Sequence, residues 1–221
     1  MKNHTGTTGS ARGACTMADR IPDRIELGAS VPRRGNRFLR WLGSTVLRVM
    51  GWRIDVVIPD HPKMVIIMAP HTSNWDFVVG MAAILKIQAR INWYGKSQVF
   101  DAPFGFFFRW LGGMPVDRSA PGGVVEQTTH AFREYAQLII ALAPEGTRSL
   151  RTHWKRGFYH MANAAQVPVV CAYLDFRRKL VGIGPVFTPT GDWNRDMRPI
   201  FDFYRGIGPK RPENFAVEEL A

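Results

Sequence analysis

The sequence predicts an α/β fold, with a single domain built on a mostly parallel or mixed central sheet that helices flank. Short apolar runs rich in Val and Ile alternate with segments of helical period, and this alternation is typical of strands joined by helical crossovers. The chain has 221 residues, of which 46% are hydrophobic, and this suits one core of ordinary size. We therefore expect one domain with short appendages.

The predicted elements follow a polar leader. Residues 1–32 are rich in Gly, Thr, Ser and Pro without an apolar period, and we expect them to be disordered. The globular domain is expected to cover residues 54–221. Its predicted strands span residues 54–58, 65–69, 91–94, 114–116, 138–143, 167–174 and 180–187. Its predicted helices span residues 75–88, 104–111, 124–135 and 155–166. Further on, Asp192 can cap a short helix, which three prolines would interrupt.

Residues 33–53 predict a basic amphipathic helix. Apolar residues recur there at roughly helical spacing, and six arginines accompany them, with no acid between Glu26 and Asp55. Such a helix can lie among the headgroups of a bilayer, with Trp at the interface and Arg on phosphates. It can equally pack on the domain with one solvated face. The sequence leaves both possibilities open.

The charge of the chain predicts an anionic partner. Lys and Arg number 29 against 18 for Asp and Glu, which gives a net charge of +11 and a pI of about 10.3. Nucleic acid, an anionic membrane surface and phosphate-bearing small molecules all fit this balance. No apolar stretch reaches the roughly 18 residues of a transmembrane helix, and only two cysteines occur. We expect a cytoplasmic protein that associates peripherally with the cytoplasmic face of a membrane.

A histidine follows the second predicted strand. The apolar residues 65–69 lead into a turn that holds His71, and Ser73 stands at the N-cap of the next predicted helix. Histidine can act as a general base at neutral pH when a carboxylate holds its other ring nitrogen. Asp76, in the first turn of that helix, is the candidate carboxylate. Because Ser73 and Asp76 also form a capping box, this pair alone is weak evidence.

A second polar turn strengthens the interpretation of His71 and Asp76 as a catalytic pair. The apolar residues 138–143 run directly into Pro-Glu-Gly-Thr-Arg at residues 144–148. The carboxyl ends of parallel strands meet at one edge of a sheet, so an imidazole, two carboxylates and an arginine are expected to converge there. Arg118, after the predicted strand 114–116, can reach the same place. The aromatic stretch around residues 100–110 is either core packing or a lipid-facing wall.

Four short blocks occur in order along the chain. They are H-x-x-x-x-D at residues 71–76, G-G-M-P-V-D-R at 112–118, P-E-G-T-R at 144–148 and V-P-V at 167–169. Together they resemble the glycerolipid acyltransferase superfamily, which includes 1-acylglycerol-3-phosphate acyltransferases. The resemblance spans about half the chain, and E-G-T-R would arise by chance in roughly one chain in a thousand.

The resemblance implies an O-acyltransferase. It would move a fatty acyl group from an acyl thioester, carried by coenzyme A or acyl carrier protein, to a hydroxyl of a lysophospholipid-type acceptor such as 1-acylglycerol-3-phosphate. His71 would be the general base and Asp76 its orienting carboxylate. No acyl-enzyme intermediate, cofactor or metal is expected.

The resemblance also implies which residues bind the substrates. The second and third blocks would hold the acceptor's phosphate, and a basic residue precedes the second block in many members. The substrate-binding residues implied in this way are Lys96, Arg118, Glu145, Gly146, Thr147 and Arg148. The chain departs from usual members because it offers only the short, arginine-rich segment 37–51 in place of long hydrophobic helices.

Other classes of protein fit less well. A serine hydrolase would need a nucleophile elbow, and no G-x-S-x-G occurs. The charge is sufficient for binding polyanions, but there is no zinc-finger spacing or RNA-binding aromatic motif, and nucleic acid is not an expected partner. The alternative that stays open is a basic lipid-binding member of the same fold that has lost turnover.

Overall fold

The computed structural model describes residues 23–101, 103–116 and 123–220. The strands within these ranges are β1 (Arg24–Leu27), β2 (Arg53–Ile58), β3 (Lys63–Met68), β4 (Asn92–Lys96), β5 (Gly113–Val116), β6 (Leu138–Leu142), β7 (Val169–Asp175) and β8 (Leu180–Phe187). The α-helices are α1 (Arg37–Val49), α2 (Asn74–Ile87), α3 (Gly105–Trp110), α4 (Gly123–Glu134), α5 (Gly157–Ala165) and α6 (Trp193–Arg205).

The strands form one mixed sheet in the order β1-β2-β8-β7-β3-β6-β4-β5. All neighbouring strands are parallel except β7 and β8, which are antiparallel. The predicted α/β class is confirmed. Because β7, β3, β6, β4 and β5 share one direction, their carboxyl ends meet at one edge, which we call the carboxyl edge.

Two layers of helices cover the sheet. Helices α1 and α2 bury one apolar face, and α4, α5 and α6 bury the other. Strand β3 lies between the layers, so that Met64 and Ile66 belong to one core while Val65 and Ile67 belong to the other. A strand buried on both faces is apolar throughout, and this explains why the sequence revealed β3 so clearly.

Strand β1 lies inside the leader that we expected to be disordered. Its four residues pair in parallel with β2, from Arg24 opposite Asp55 to Leu27 opposite Ile58. The expectation was wrong for these residues because backbone pairing at the sheet edge holds a segment too polar and too short to be recognised from composition. Residues 1–22 of the leader lie outside the described residues.

Helix α1 occupies the middle of the predicted segment 33–53, whose last residue instead begins β2. Asn36 caps the helix, and its side chain accepts a hydrogen bond from the Leu39 backbone N–H at 2.9 Å. Leu47 is buried against the domain, whereas Phe38 and Trp41 are 61% and 60% exposed. One side of α1 therefore packs on the domain and another presents aromatic side chains outward.

Gly43 allows α1 to approach α2 closely. A Cβ atom at this position would lie 2.4 Å from the Ala82 carbonyl oxygen, so Gly43→Ala should force the helices apart. We expect a loss of about 1–3 kcal/mol in the free energy of unfolding, measured with urea. The matched control is Gly80→Ala in α2, where a Cβ meets nothing within 4 Å and should stabilise the protein by about 0.5–1 kcal/mol. Equal effects of the two changes would contradict this packing.

Helix α6 is longer than the sequence indicated. Asp192 caps it as expected, accepting from the Arg195 backbone N–H at 3.1 Å, but the helix continues through Pro199 to Arg205. Its buried face includes Phe201 and Tyr204, and burial of these rings offsets the hydrogen bond that proline removes. Within the described residues, no helix has the length and apolar character needed to cross a bilayer.

Candidate active site

His71 lies at the carboxyl edge, just beyond the end of β3. The chain leaves β3 through a cis Ala69–Pro70 peptide bond. The His71 Nδ1 atom is 3.3 Å from Asp76 Oδ2, and 26% of the imidazole is exposed. With its Nδ1 hydrogen directed at a carboxylate, the ring carries a lone pair on Nε2, at the opposite side of the ring. The geometry suits a general base that acts through Nε2.

The Asp76 carboxylate is held in place by hydrogen bonds that are independent of its contact with the imidazole. Its Oδ2 accepts hydrogen bonds from the backbone N–H groups of Thr72 at 2.6 Å and Ser73 at 2.7 Å, and Ser73 Oγ donates to Oδ1 at 3.3 Å. The residue is only 3% exposed. Capping and orienting are therefore performed by one carboxylate, and the two sequence-based interpretations of Asp76 do not compete.

Glu145 connects the two turns. The strand β6 lies beside β3, so its turn reaches the carboxyl edge next to the His71 turn. Both carboxyl oxygens of Glu145 accept from the His71 backbone N–H, each at 3.1 Å, and the side chain is 4% exposed. Glu145 therefore holds the backbone of the candidate base, rather than capping a helix.

Burial, together with the negative charge of Asp76, raises the pKa of Glu145 from an ordinary 4.5 to about 8, although the hydrogen bond from the His71 backbone opposes this shift. The folded protein therefore keeps a proton on Glu145 over a pH range in which the unfolded chain has lost it. This contribution to stability is complete below pH 4.5 and is lost as the pH rises to about 8.

Glu145→Gln should remove this pH dependence. Gln cannot ionise, so the variant does not lose this stability at higher pH. The free energy of unfolding of the variant, minus that of the wild type, should therefore increase as the pH rises from 5 to 8. The expected slope approaches 1.4 kcal/mol per pH unit, for a total of a few kcal/mol. Urea unfolding of both proteins across this range measures the difference. A difference that stays constant with pH would show that Glu145 ionises normally.

The remainder of the Glu145 turn is more exposed. Gly146 adopts a positive φ of 67°, and the Lys155 side chain lies over it, with Nζ 2.8 Å from the position that a Cβ would occupy. Thr147 Oγ1 accepts from the Ser149 backbone N–H at 3.4 Å, and Arg148 is exposed. The turn thus places a lysine and an arginine beside the His71 turn.

The C-terminal segment also reaches the site. The Arg211 backbone N–H donates to Thr72 Oγ1 at 3.2 Å, and the Arg211 side chain is exposed. From α6, the Tyr204 hydroxyl donates to the carbonyl oxygens of Ile67 at 3.2 Å and Ala172 at 3.0 Å. The contacts of Tyr204 hold the end of β3 in place, and the segment with Arg211 adds a third cation near the His71 turn.

Cys171 is the only cysteine among the described residues, and it lies close to Tyr204. Burial raises the pKa of its thiol to about 12, so the thiolate is not formed at neutral pH. Among the described residues, no three His, Cys, Asp or Glu side chains form a cluster that could hold a metal ion.

Of the predicted site residues, the structure joins His71, Asp76 and Glu145 by direct contacts and sets Gly146, Thr147 and Arg148 on the same turn. Lys96 ends β4 at the carboxyl edge, but its side chain, like the whole of Arg118, lies outside the described residues. Sequence reasoning missed four residues: Thr72, Lys155, Tyr204 and Arg211. Only Lys155 had a signal, as a basic residue soon after the Glu145 block.

Fold and site together have the arrangement of an α/β acyltransferase. The chain belongs to the Acyltransferase family, since the model of that family matches residues 53–175, more than half of the chain. The predicted membership of the glycerolipid acyltransferase superfamily is thereby confirmed.

Among solved structures, the chain is similar to the crystal structure of PlsC, the 1-acyl-sn-glycerophosphate (LPA) acyltransferase from Thermotoga maritima. The TM-score is 0.55 at 15% sequence identity, over 77% of this chain and 78% of that chain. A likeness at this identity shows a shared fold. No curated protein matches the chain.

Proposed function

We propose that the protein transfers a fatty acyl group from an acyl thioester, carried by coenzyme A or acyl carrier protein, to a hydroxyl of a lysophospholipid-type acceptor. The observation that carries this proposal is the contact of 3.3 Å between His71 Nδ1 and the fixed carboxylate of Asp76. The acceptor that we favour is 1-acylglycerol-3-phosphate, because the structurally similar PlsC is described as an acyltransferase for 1-acyl-sn-glycerophosphate.

The reaction begins with proton transfer. His71 Nε2 removes the proton of the acceptor hydroxyl as the oxygen attacks the thioester carbonyl, and Asp76 stabilises the imidazolium that forms. Collapse of the tetrahedral intermediate breaks the carbon–sulfur bond, and the imidazolium returns its proton to the departing thiolate. The products are an ester and a free thiol. No cofactor takes part, and the acyl donor is itself a substrate.

The cations around the site would bind the phosphate of the acceptor or of coenzyme A. Arg148 and Lys155 lie on one side of the His71 turn, and Arg211 lies on the other. Arg118 and Lys96 join this set in the proposal because their strands end at the carboxyl edge. Guanidinium groups bind phosphate with two parallel hydrogen bonds, so Arg148 and Arg118 would supply direction as well as charge.

We further propose that the protein works at a membrane surface, on the cytoplasmic side. The net charge of +11 favours anionic bilayers, and the exposed aromatic rings of α1 suit an interface between water and lipid. The low cysteine content supports the cytoplasmic side.

The test is acceptor-dependent release of free thiol. Purified protein is incubated with palmitoyl-coenzyme A, or with palmitoyl acyl carrier protein, and a panel of lysophospholipids, with the corresponding diacyl lipids as controls that lack the free hydroxyl. We expect thiol release with a lysolipid and none above background with its diacyl partner. If neither donor gives release with any acceptor, while the protein still binds anionic vesicles, the alternative of a non-catalytic lipid-binding member is correct.

A further inference from the structure

A basic cleft of about 520 Å³ lies at the edge of the sheet opposite to His71, where β4 and β5 begin. Four arginines line it, together with the neutral side chain of Asn92, and none of the described acidic residues does so. The arginines are Arg33, Arg34, Arg90 and Arg109. We call this feature the arginine cleft.

Backbone pairing holds these cations together. The segment before α1 runs beside the segment after α2: the Arg34 N–H donates to the Gln88 carbonyl oxygen at 2.9 Å, and the Arg90 N–H donates to the Pro32 carbonyl oxygen at 2.7 Å. The backbones of Arg33, Arg34 and Arg90 are thereby held close together without any ligand. Like charges that are held together in this way repel one another, and an anion placed between them relieves the repulsion.

The charge of the cleft is not compensated within the described residues. Arg33 Nη2 donates to the Leu27 carbonyl oxygen at 3.2 Å, and Arg109 Nη1 donates to the Phe100 carbonyl oxygen at 2.9 Å, so neutral groups orient these side chains. None of the four forms an ion pair with a described acid. Partial burial and the neighbouring Arg90 lower the pKa of the Arg34 guanidinium, as expected of cations without a counter-ion.

Another cationic cleft shows the contrast. It is lined by Arg48, Arg53 and Lys86, but Asp23 lines it as well, and the Lys86 ammonium pairs with the Asp23 carboxylate. That cleft contains its own anion. The arginine cleft does not, and this difference points to a ligand from outside the chain.

Exposed apolar side chains lie beside the arginine cleft. Of the large hydrophobic residues that the structure describes as exposed, most lie on α1, on α2 or on the segment 99–110. They are Phe38, Trp41, Leu42, Val49, Trp75, Val78, Val99, Phe104, Phe106, Phe107 and Trp110. The Arg34 guanidinium lies 5.4 Å from the centre of the Trp110 ring, so the cleft adjoins this surface directly. Aromatic rings beside arginines are typical of a protein surface at the headgroup level of a bilayer.

We infer that the arginine cleft binds the phosphate of an anionic phospholipid while the exposed apolar surface of α1, α2 and the segment 99–110 lies on the bilayer. This inference extends the membrane association proposed above and does not depend on acyl transfer. Aromatic contacts connect Trp110, beside the cleft, with Phe107 and Phe108. Phe108 in turn contacts Phe77 of α2, which is next to Asp76 in the chain. A protein bound through this surface therefore has its catalytic turn at the lipid surface as well.

Two other occupants are less suitable. An acidic carrier protein would complement the charge of the cleft, but it would leave the exposed aromatic rings beside the cleft unexplained. A soluble phosphate compound would need only the cleft and would leave the apolar surface unexplained. Both are distinguished from a lipid in the experiment below.

Binding to vesicles tests the inference. We expect the protein to bind phosphatidylcholine vesicles that contain phosphatidylglycerol, and the double variant Arg34→Gln/Arg90→Gln to bind them about 30-fold more weakly, since each basic residue near such a surface contributes about 1 kcal/mol. The matched control is Arg195→Gln/Arg198→Gln, which removes the same charge from exposed positions on α6 and should weaken binding less than about threefold.

Equal loss in both double variants, or no loss in the cleft variant, would overturn the inference. Loss of binding to acyl carrier protein with unchanged binding to vesicles would assign the cleft to that protein instead. Inorganic phosphate or glycerol 3-phosphate that binds the wild type as tightly as vesicles do would assign it to a soluble ligand. Thermal unfolding checks that the variants fold, and Arg90→Gln alone, at an exposed side chain, replaces the double variant if it does not.

The test is separate from that of the proposed enzyme activity. His71→Ala should bind vesicles as the wild type does, because His71 neither lines the arginine cleft nor belongs to the exposed apolar residues of this surface. If vesicle binding by the wild type is absent while thiol release occurs, the cleft and the membrane association are wrong and the acyl transfer stands. If the wild type binds vesicles but releases no thiol, the acyl transfer is wrong and the membrane association stands.

Discussion

His71→Ala should lower kcat/KM for acceptor-dependent thiol release by about 10²- to 10⁴-fold, the usual contribution of a positioned general base. The variant removes a partly exposed imidazole whose partner is a fixed carboxylate. Its backbone N–H, which donates to Glu145, is retained. The circular dichroism spectrum and the urea unfolding midpoint should therefore stay close to those of the wild type.

The matched control is His160→Ala, which removes an exposed imidazole from α5. We expect its kcat/KM to be unchanged. If His160→Ala lowers activity as much as His71→Ala does, then the loss does not report on a general base. If His71→Ala retains full activity, His71 does not act as the base.

Asp76→Asn should lower kcat/KM by about 10²-fold or more, because the imidazolium loses the negative charge that stabilises it. Asn keeps one side-chain oxygen to accept hydrogen bonds from the backbone at the start of α2, so the variant should lose only about 1 kcal/mol of stability. The decrease should fall on kcat more than on KM, since the carboxylate contacts the base rather than the substrate. A change in KM alone would assign Asp76 to substrate binding.

Two further variants isolate the role of Asp76. Asp192→Asn removes a carboxylate charge from the N-cap of α6 and should leave kcat/KM unchanged, which separates the loss of negative charge at a helix N-terminus from the loss of a catalytic partner. The double variant His71→Ala/Asp76→Asn should be no less active than His71→Ala, because Asp76 acts through His71. If the effects of the two single changes multiply instead, Asp76 has a role of its own.

The α/β class and the sheet edge that carries the site were predictable from sequence. Buried parallel strands such as β3 are apolar throughout, and the turn after each one is polar, so both the strand and the site residues after it are visible in a single sequence. The contact of His71 with Asp76 could be predicted because only five positions of chain separate the two residues. The direct contact of Glu145 with the His71 backbone could not, since it depends on β6 lying beside β3.

The missed features share a physical origin. Strand β1 is held by pairing at the sheet edge, and α6 is held by the burial of Phe201 and Tyr204 in spite of Pro199. In both cases long-range contacts override local signals. Arg211 reaches Thr72 across most of the chain, and no periodicity or motif marks such a contact. The arginine cleft likewise depends on two segments that meet only through the folding of α1 and α2.

The most direct test of the account is to measure both products of one reaction. Wild-type protein and His71→Ala are each incubated with palmitoyl-coenzyme A and 1-acylglycerol-3-phosphate. Free thiol is measured by colorimetry and the diacyl lipid by mass spectrometry. We predict that the wild type forms the diacyl lipid and the free thiol in equal amounts, and that His71→Ala forms neither above background. Free thiol without the diacyl lipid, or equal product formation by His71→Ala, would contradict acyl transfer by a His71–Asp76 pair.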